Sequence, residues 1–352
     1  MLQQLTLEGK PIEYRPYRHI TLNEQKAFCD FLQNLGIYED KLKDLLWCSS
    51  EYCKYDCVQD STHIKKVKYL ACGLRGLCPR CSMAYAHKRA EIMYQWIKQN
   101  LADNLNFDLK MNQIVLTLPK GIHETLDKKT FSKMIREFMA SYGIEAYGYS
   151  IQYRHSKNPL GSRFLHCHVL SLNFKESNGK LIENEYYFNV KKMRNVWKNI
   201  IEKYTKSVIE SDVNIFSEYV SVKQKKPKVV HLLAYLYRYP IQDLFQVQIR
   251  DRSINYLESE QFENDHTNTI LQIESMKNEP KNLTWCGLLT STKREYLIGL
   301  IQCTINELVV WKNINHLVKQ LDEQSKTCRD CGAFYSEIPC DRGKYDGDNE
   351  PT

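Results

Sequence analysis

The stretch Phe164-Leu-His-Cys-His-Val-Leu-Ser-Leu-Asn-Phe174 reads as an apolar strand with two histidines one residue apart. Side chains at i and i+2 of a strand share a face, so His166 and His168 point together while Leu165, Cys167 and Val169 enter the opposite layer. Two imidazoles facing the same way are hard to explain by packing alone, and they arrive pre-aligned as ligands for one cation.

Outward from that strand the chain alternates strands and helices. Upstream, residues 145 to 155 form a partner strand, joined to the histidine strand around Asn158-Pro-Leu-Gly161, whose turn chemistry fits a hairpin. Before it, Thr130 to Tyr142 is an amphipathic helix closed by Gly143, and residues 111 to 118 form a strand ending at Pro119. Downstream come a polar turn at Gly179, a helix over 190 to 206 and a strand over 213 to 222. This order predicts an α+β fold, a central antiparallel sheet flanked by helices.

A helix from about residue 229 carries His231-Leu-Leu-Ala-Tyr-Leu-Tyr-Arg-Tyr-Pro240. Tyr235 and Tyr239 are four apart and are expected on one face, with Tyr237 elsewhere. A phenolate there can attack phosphorus and form a covalent ester. His231, one turn before Tyr235, is a candidate proton acceptor.

Four motifs in order resemble those of the HUH superfamily of single-strand DNA nucleases. They are Cys72-Gly-Leu-Arg-Gly-Leu-Cys-Pro-Arg-Cys81, the strand Asn112-Gln-Ile-Val-Leu-Thr-Leu-Pro-Lys120, His166-Cys167-His168, and Tyr235-Leu-Tyr-Arg-Tyr-Pro240. They look like the zinc signature, the strand before the histidines, the histidine motif and the tyrosine helix of rolling-circle replication initiators and two-tyrosine transposases. The histidine motif departs from the pattern in having Cys167 between the histidines and Leu165 before them. His231 stands where single-tyrosine initiators commonly carry a glutamate, which favours the two-tyrosine form. The resemblance implies a catalytic Mg²⁺ or Mn²⁺ held by His166, His168 and a polar residue about a dozen positions earlier. Gln152 is the first choice for that ligand and His155 the competitor. Implied too are Tyr235 as nucleophile, a 5′-phosphotyrosine intermediate and a second cleavage by Tyr239. Single-stranded or hairpin origin DNA would be the partner, with a host helicase as a further one. Initiation of rolling-circle replication is the leading expectation, two-tyrosine transposition the alternative, and a non-catalytic zinc-dependent nucleic-acid binder the rival from another class.

Thirteen cysteines with short spacings suggest zinc sites more than disulfides, since the N-terminus lacks the pattern of a secretion signal. Cys78 and Cys81 form a two-residue-spaced knuckle, and Cys53 and Cys57 upstream can supply the other half of a tetrahedral site. Cys48, Cys72, His63 and His87 offer further ligands, and spacing leaves the pairing open. Cys328, Cys331 and Cys340 form a second cluster short of one ligand, with Cys286 a candidate fourth. A helix over 82 to 100 joins the cysteine module to the strand at 111 to 118. A capping box at Thr21-Leu-Asn-Glu24 starts an N-terminal helix stopped by Gly36.

The formal net charge of +7 matters less than its placement. Lys223, Lys225, Lys226 and Lys228 crowd the approach to the tyrosine helix, and Lys65, Lys66 and Lys68 the cysteine module, within reach of phosphates if both face one groove. No apolar run approaches a membrane span, so the expected location is the cytoplasm. The expected division is a helical, zinc-binding module over 1–105, a nuclease domain over 106–255 and a mostly helical region over 256–352. Within the last, 257 to 282 reads as a linker, 290 to 324 as helical, and the end as disordered.

Overall fold

The computed structural model describes residues 20–48, 51–57, 59, 66–69, 71–119, 121–184, 189–210, 213–252, 266–278, 283–305, 314, 317–319 and 335–344, the strands at 51–57, 66–69 and 335–344 by their backbone alone. In chain order the elements are α1 (Leu22–Asn34), α2 (Glu39–Trp47), β1 (Glu51–Cys57), β2 (Lys66–Tyr69), α3 (Pro79–Ile97, continued by a π turn to Ala102), β3 (Lys110–Thr117), α4 (Lys128–Ser141), β4 (Ala146–Gln152), β5 (His166–Leu172), β6 (Phe174–Ser177) and β7 (Lys180–Glu183). There follow α5 (Val190–Thr205), β8 (Ile215–Ser221), α6 (Lys226–Leu236), α7 (Ile241–Phe245, continued by a π turn to Arg250), α8 (His266–Asn278), β9 (Leu283–Gly287), α9 (Arg294–Ile305) and β10 (Tyr335–Lys344).

The central sheet has the order β8-β3-β5-β4-β9 with every neighbouring pair antiparallel. Leaving β9 aside, β3-α4-β4-β5-α5-β8 is the split β-α-β arrangement, two crossovers that interleave four strands. Both crossover helices lie on one face. Their apolar sides meet the inward residues of the strands in one core: Phe131, Phe138 and Trp197 from the helices against Ile114, Cys167 and Val169 from the sheet. Local signals start these helices where they start. Asp127 caps α4 by accepting from the Thr130 amide, and Asn189 caps α5 by accepting from the Lys192 amide. The buried Trp197 indole donates to the Thr117 carbonyl at 2.7 Å, which pins the end of β3 beside the histidine strand.

The opposite face is covered by α3 and α6, packed on each other and on Met111, Leu170, Leu172 and Val220 of the sheet. The α3 helix therefore shares a core with the sheet, although it lies before residue 105, and β9 completes the sheet edge from beyond residue 255. Gly148 admits that edge, since a Cβ there would meet the Trp285 ring of β9 at 2.4 Å. A third core joins α1 and α2 to α7 and α8 around Phe28, Leu32 and Phe245. The Thr21–Glu24 capping box is present.

Two expectations are corrected. The supposed linker contains α8, whose Ile273 and Met276 are buried against the third core. Of the end expected to be disordered after the tail cysteines, residues 341–344 belong to β10, which is hydrogen-bonded along β1. The hairpin expected from β4 to β5 is present, turning at Asn158–Gly161; its connection runs from 153 to 165, held by a His155–Asn158 bridge and by Arg154, which donates to the Pro159 carbonyl at 3.1 Å and to the Gln272 carbonyl of α8 at 3.3 Å. Among the described residues no helix is long and apolar enough to cross a membrane.

Candidate functional site

The register of β5 decides what surrounds the histidines. His166 lies opposite Thr117 of β3 and Gln152 of β4, and His168 opposite Val115 and Ser150. Directly paired residues project to one face, so this polar group faces α6 rather than the α4–α5 core. There it lines a cavity of about 650 Å³ roofed by His231, Tyr235 and Arg238.

Both imidazoles are buried, and burial holds them neutral. Loss of hydration pushes His166 down to about 4 and His168 well below the usual imidazole value. The Nδ1–H of His166 donates to the Phe164 carbonyl at 3.1 Å. A carbonyl can only accept, so the Nε2 lone pair is left for a cation. The Gln113 amide sits 3.4 Å from Nδ1 of His168 and fixes that ring. The two ring centroids are 5.1 Å apart.

The Tyr235 ring stacks on His168 at 5.6 Å between centroids and meets His231 edge-on at 5.0 Å. Burial pushes His231 down to about 4, so it too is neutral at pH 7 and able to take a proton. Tyr239 behaves differently. The α6 helix ends at Leu236, before a fourth residue can bring Tyr239 above Tyr235. Pro240 then starts α7, and Tyr239 turns away from the cavity onto Tyr85 of α3, at 6.2 Å between centroids. The expected shared face of the two tyrosines is thus broken by the helix terminus.

Gln152 and His155 both line the cavity. His155 Nδ1 accepts from the Lys157 amide at 3.1 Å, while Gln152 pairs directly with His166 across the strands. Three cavity residues were not singled out from sequence. Glu218 of β8 is 6% exposed and ion-paired with Lys228. Arg238 is ion-paired with Asp243 of α7 and lies over the Tyr235 ring at 5.2 Å. The signal for Glu218 was available: period-2 alternation through Phe216, Glu218 and Val220 sets a carboxylate on the same face as an apolar residue. For Asp243 no sequence signal exists, because its role depends on the turn at Pro240.

The second site is the cysteine cluster. Cys48, Cys72, Cys78 and Cys81 bring their sulfurs within 4.8 Å of one another, a group that could hold a metal such as zinc. Cys81 lies 3.5 Å from Cys48 and 3.6 Å from Cys72. A tetrahedron with Zn–S bonds of about 2.3 Å has edges of about 3.8 Å, so the set is already close to the required size. Hydrogen bonds from Cys72, Cys78 and Cys81 hold the Cys48 thiol far below its ordinary range, while the same network pushes Cys78 up. Charge is therefore ready on sulfur. The Gln25 amide lies 3.6 Å from the Cys78 sulfur, and Arg80 donates to the Cys48 carbonyl at 2.6 Å.

The described cluster thus joins the Cys78–Cys81 knuckle to Cys48 and Cys72, one of the pairings that spacing leaves open. Cys53 and Cys57 lie on β1, of which only the backbone is described. His87 sits on α3 outside the cluster, and His63 and Lys65 fall outside the described residues. Cys286 is buried on β9 in the sheet core, hydrogen-bonded to Tyr147. Cys328 and Cys331 lie outside the described residues, and Cys340 falls on the backbone-only β10. Of the lysines, Lys228 enters the cavity and Lys226 pairs with Glu91 at 2.6 Å.

Compared with known proteins, the chain matches no family model, no curated protein and no solved structure.

Proposed function

We propose that the protein is a metal-dependent, tyrosine-nucleophile single-strand DNA endonuclease and strand transferase of the HUH type, initiating rolling-circle replication of a plasmid or virus. One observation carries the reading: the paired imidazoles and the Tyr235 phenol share a cavity, with the His168 and Tyr235 rings stacked at 5.6 Å.

The donor set fits a catalytic divalent ion. Neutral imidazoles, that of His166 with its Nε2 lone pair free, beside the oxygens of Gln152 and Glu218, offer mixed N/O ligation and leave positions open to a phosphate. A bound Mg²⁺ or Mn²⁺ would polarise the scissile phosphate and neutralise charge on its oxygens. His166 and His168 would hold that ion, with Gln152 as the oxygen ligand from the neighbouring strand. His231 takes the proton of the Tyr235 hydroxyl. The phenol oxygen attacks phosphorus, the P–O3′ bond breaks, and the leaving oxygen becomes a 3′ hydroxyl once protonated. The bond energy is retained in the 5′-phosphotyrosine, so the hydroxyl can reverse the step and rejoin strands without ATP.

Tyr239 has no part in this first cleavage, because its ring rests on Tyr85 away from the cavity. That favours replication initiation with one resident nucleophile over two-tyrosine transposition. A structural zinc in the cysteine cluster and the lysines at the start of α6 would fit a DNA-binding protein in either setting.

Incubation with Mn²⁺ and a labelled single-stranded oligonucleotide from its own replicon tests the proposal. A covalent adduct on a denaturing gel is expected with the wild type and with Tyr239→Phe, and none with Tyr235→Phe. An adduct that survives in Tyr235→Phe refutes the assignment.

A further inference from the structure

We infer that Arg238 is a phosphodiester-binding group, its guanidinium donating to a nonbridging oxygen of the strand that Tyr235 attacks; the inference rests on the transesterase reading above.

Arg238 lies just past the end of α6, where the chain turns through Pro240 into α7. The turn sends its side chain back into the cavity, over the Tyr235 ring at 5.2 Å and into a hydrogen bond with the Tyr235 hydroxyl. Reacting atoms in a productive complex stand about 3–3.5 Å apart, so a donor that reaches the attacking oxygen also reaches the oxygens of the phosphate being attacked. The guanidinium has donors to spare. Asp243 takes one edge of the fork, and Nε is buried with no hydrogen-bond partner among the described residues.

Stability does not explain such a pair. Each buried charge costs several kcal/mol of lost hydration, and exchanging a buried ion pair for apolar side chains is often neutral or stabilising. Nor is Arg238 held loosely. Asp243 follows Gln242, whose amide donates to the Ser82 hydroxyl at 2.6 Å, and Ser82 follows Cys81 of the cysteine cluster. The carboxylate that orients the guanidinium is thereby fixed to the first turn of α3.

Charge in the cavity points the same way. Arg238 is matched by Asp243 and Lys228 by Glu218, and His166, His168 and His231 are neutral, so the lining has no net charge. A divalent cation makes it +2, which a phosphodiester only half offsets. In the transition state the phosphoryl group becomes dianionic while the proton from Tyr235 rests on His231, so negative charge is concentrated at the phosphoryl oxygens. Arg238 then sits where negative charge grows, as the planar, permanently charged fork best suited to phosphate oxygens.

Binding of a fluorescein-labelled single-stranded oligothymidylate is to be followed by anisotropy across a salt series, in a Tyr235→Phe background that forms no adduct. Replacing both members of the pair, Arg238→Met with Asp243→Leu, avoids an uncompensated buried charge. It is expected to weaken binding about 10–100-fold and to make the slope of log K against log salt shallower by about 0.7, one phosphate contact. Unchanged affinity and slope overturn the inference. Arg238→Lys with Tyr235 intact keeps the charge beside Asp243. Unchanged melting with adduct formation slowed at least about tenfold is expected, and an unchanged rate overturns the role. If the wild type forms no adduct at all, the transesterase reading fails, while the salt slope still decides Arg238.

Discussion

The cysteine cluster and the imidazole cavity are built on opposite plans: one closes its donors around a single point, the other leaves room beside them. Four sulfurs from Cys48, Cys72, Cys78 and Cys81 converge within 4.8 Å and sit at the edge of the core formed by α1, α2 and α7. Two imidazoles on β5 instead open onto about 650 Å³ lined by further polar groups. A closed tetrahedral set fills every coordination position from the protein and so serves the fold, whereas an open set keeps positions for a reacting group. The helix that begins at the cluster, α3, also packs on α6, which carries the phenol over the open site. The closed site therefore shapes the open one.

The largest effect should come from the closed site. Cys78→Ser removes a buried sulfur from a set in which a zinc would contribute roughly 10 kcal/mol or more when binding and folding are coupled. Thermal melting of the variant, and of wild type treated with a strong chelator, should show loss of the cooperative transition; zinc content should fall with it. Retention of both would mean that the sulfurs converge without an ion.

Next in size is the open site, with the opposite signature. His168→Ala is expected to lower adduct formation about 10²–10³-fold, the scale of losing one charge-stabilising partner, yet to melt cooperatively and keep its zinc. Single-turnover gels and calorimetry read the two. A His168→Ala protein that fails to fold would make the imidazole pair structural and erase the distinction.

The two sites differ also in how far sequence reveals them. His166 and His168 can be assigned to one face because a strand repeats every two residues, and register then brings Thr117 and Gln152 to them without further information. The sheet is legible for the same reason, since β3, β4, β5 and β8 are long and periodic. The expectation for Tyr239 fails because a period of 3.6 applies only while the helix lasts, and nothing in Tyr235-Leu-Tyr-Arg-Tyr-Pro240 says that α6 stops at Leu236 rather than nearer the proline. The pairing of Cys48 and Cys72 with Cys78 and Cys81 depends on where α2 delivers its end, a tertiary fact that spacing does not carry. The α8 helix is obscured by the acidic residues around it, although Ile270, Ile273 and Met276 recur at helical intervals. Arg238 and Asp243 meet only because of the turn between α6 and α7.

The smallest predicted effect separates the sites by acidity. His166 and His231 are held near 4 in the folded chain against about 6.5 when exposed. Between those values the unfolded chain binds protons that the folded chain refuses, so stability rises with pH across the window. The contribution is complete above about 6.5, is lost as pH falls toward 4, and levels off below; for His166 alone it is on the order of 3 kcal/mol. Melting temperature should therefore decline from pH 7 to pH 4 in the wild type and decline less in His166→Gln, whose side chain has no proton to gain. Because Mn²⁺ needs the neutral imidazole, added Mn²⁺ should raise the wild-type melting temperature at pH 7, steepen its decline toward pH 4 as protons displace the metal, and leave His166→Gln unaffected. The thiolate cluster should respond otherwise, since protons compete with zinc for four sulfurs at once and release is cooperative. Identical acid profiles for the wild type and His166→Gln would mean that the cavity hydrates freely and that burial does not hold the imidazoles neutral.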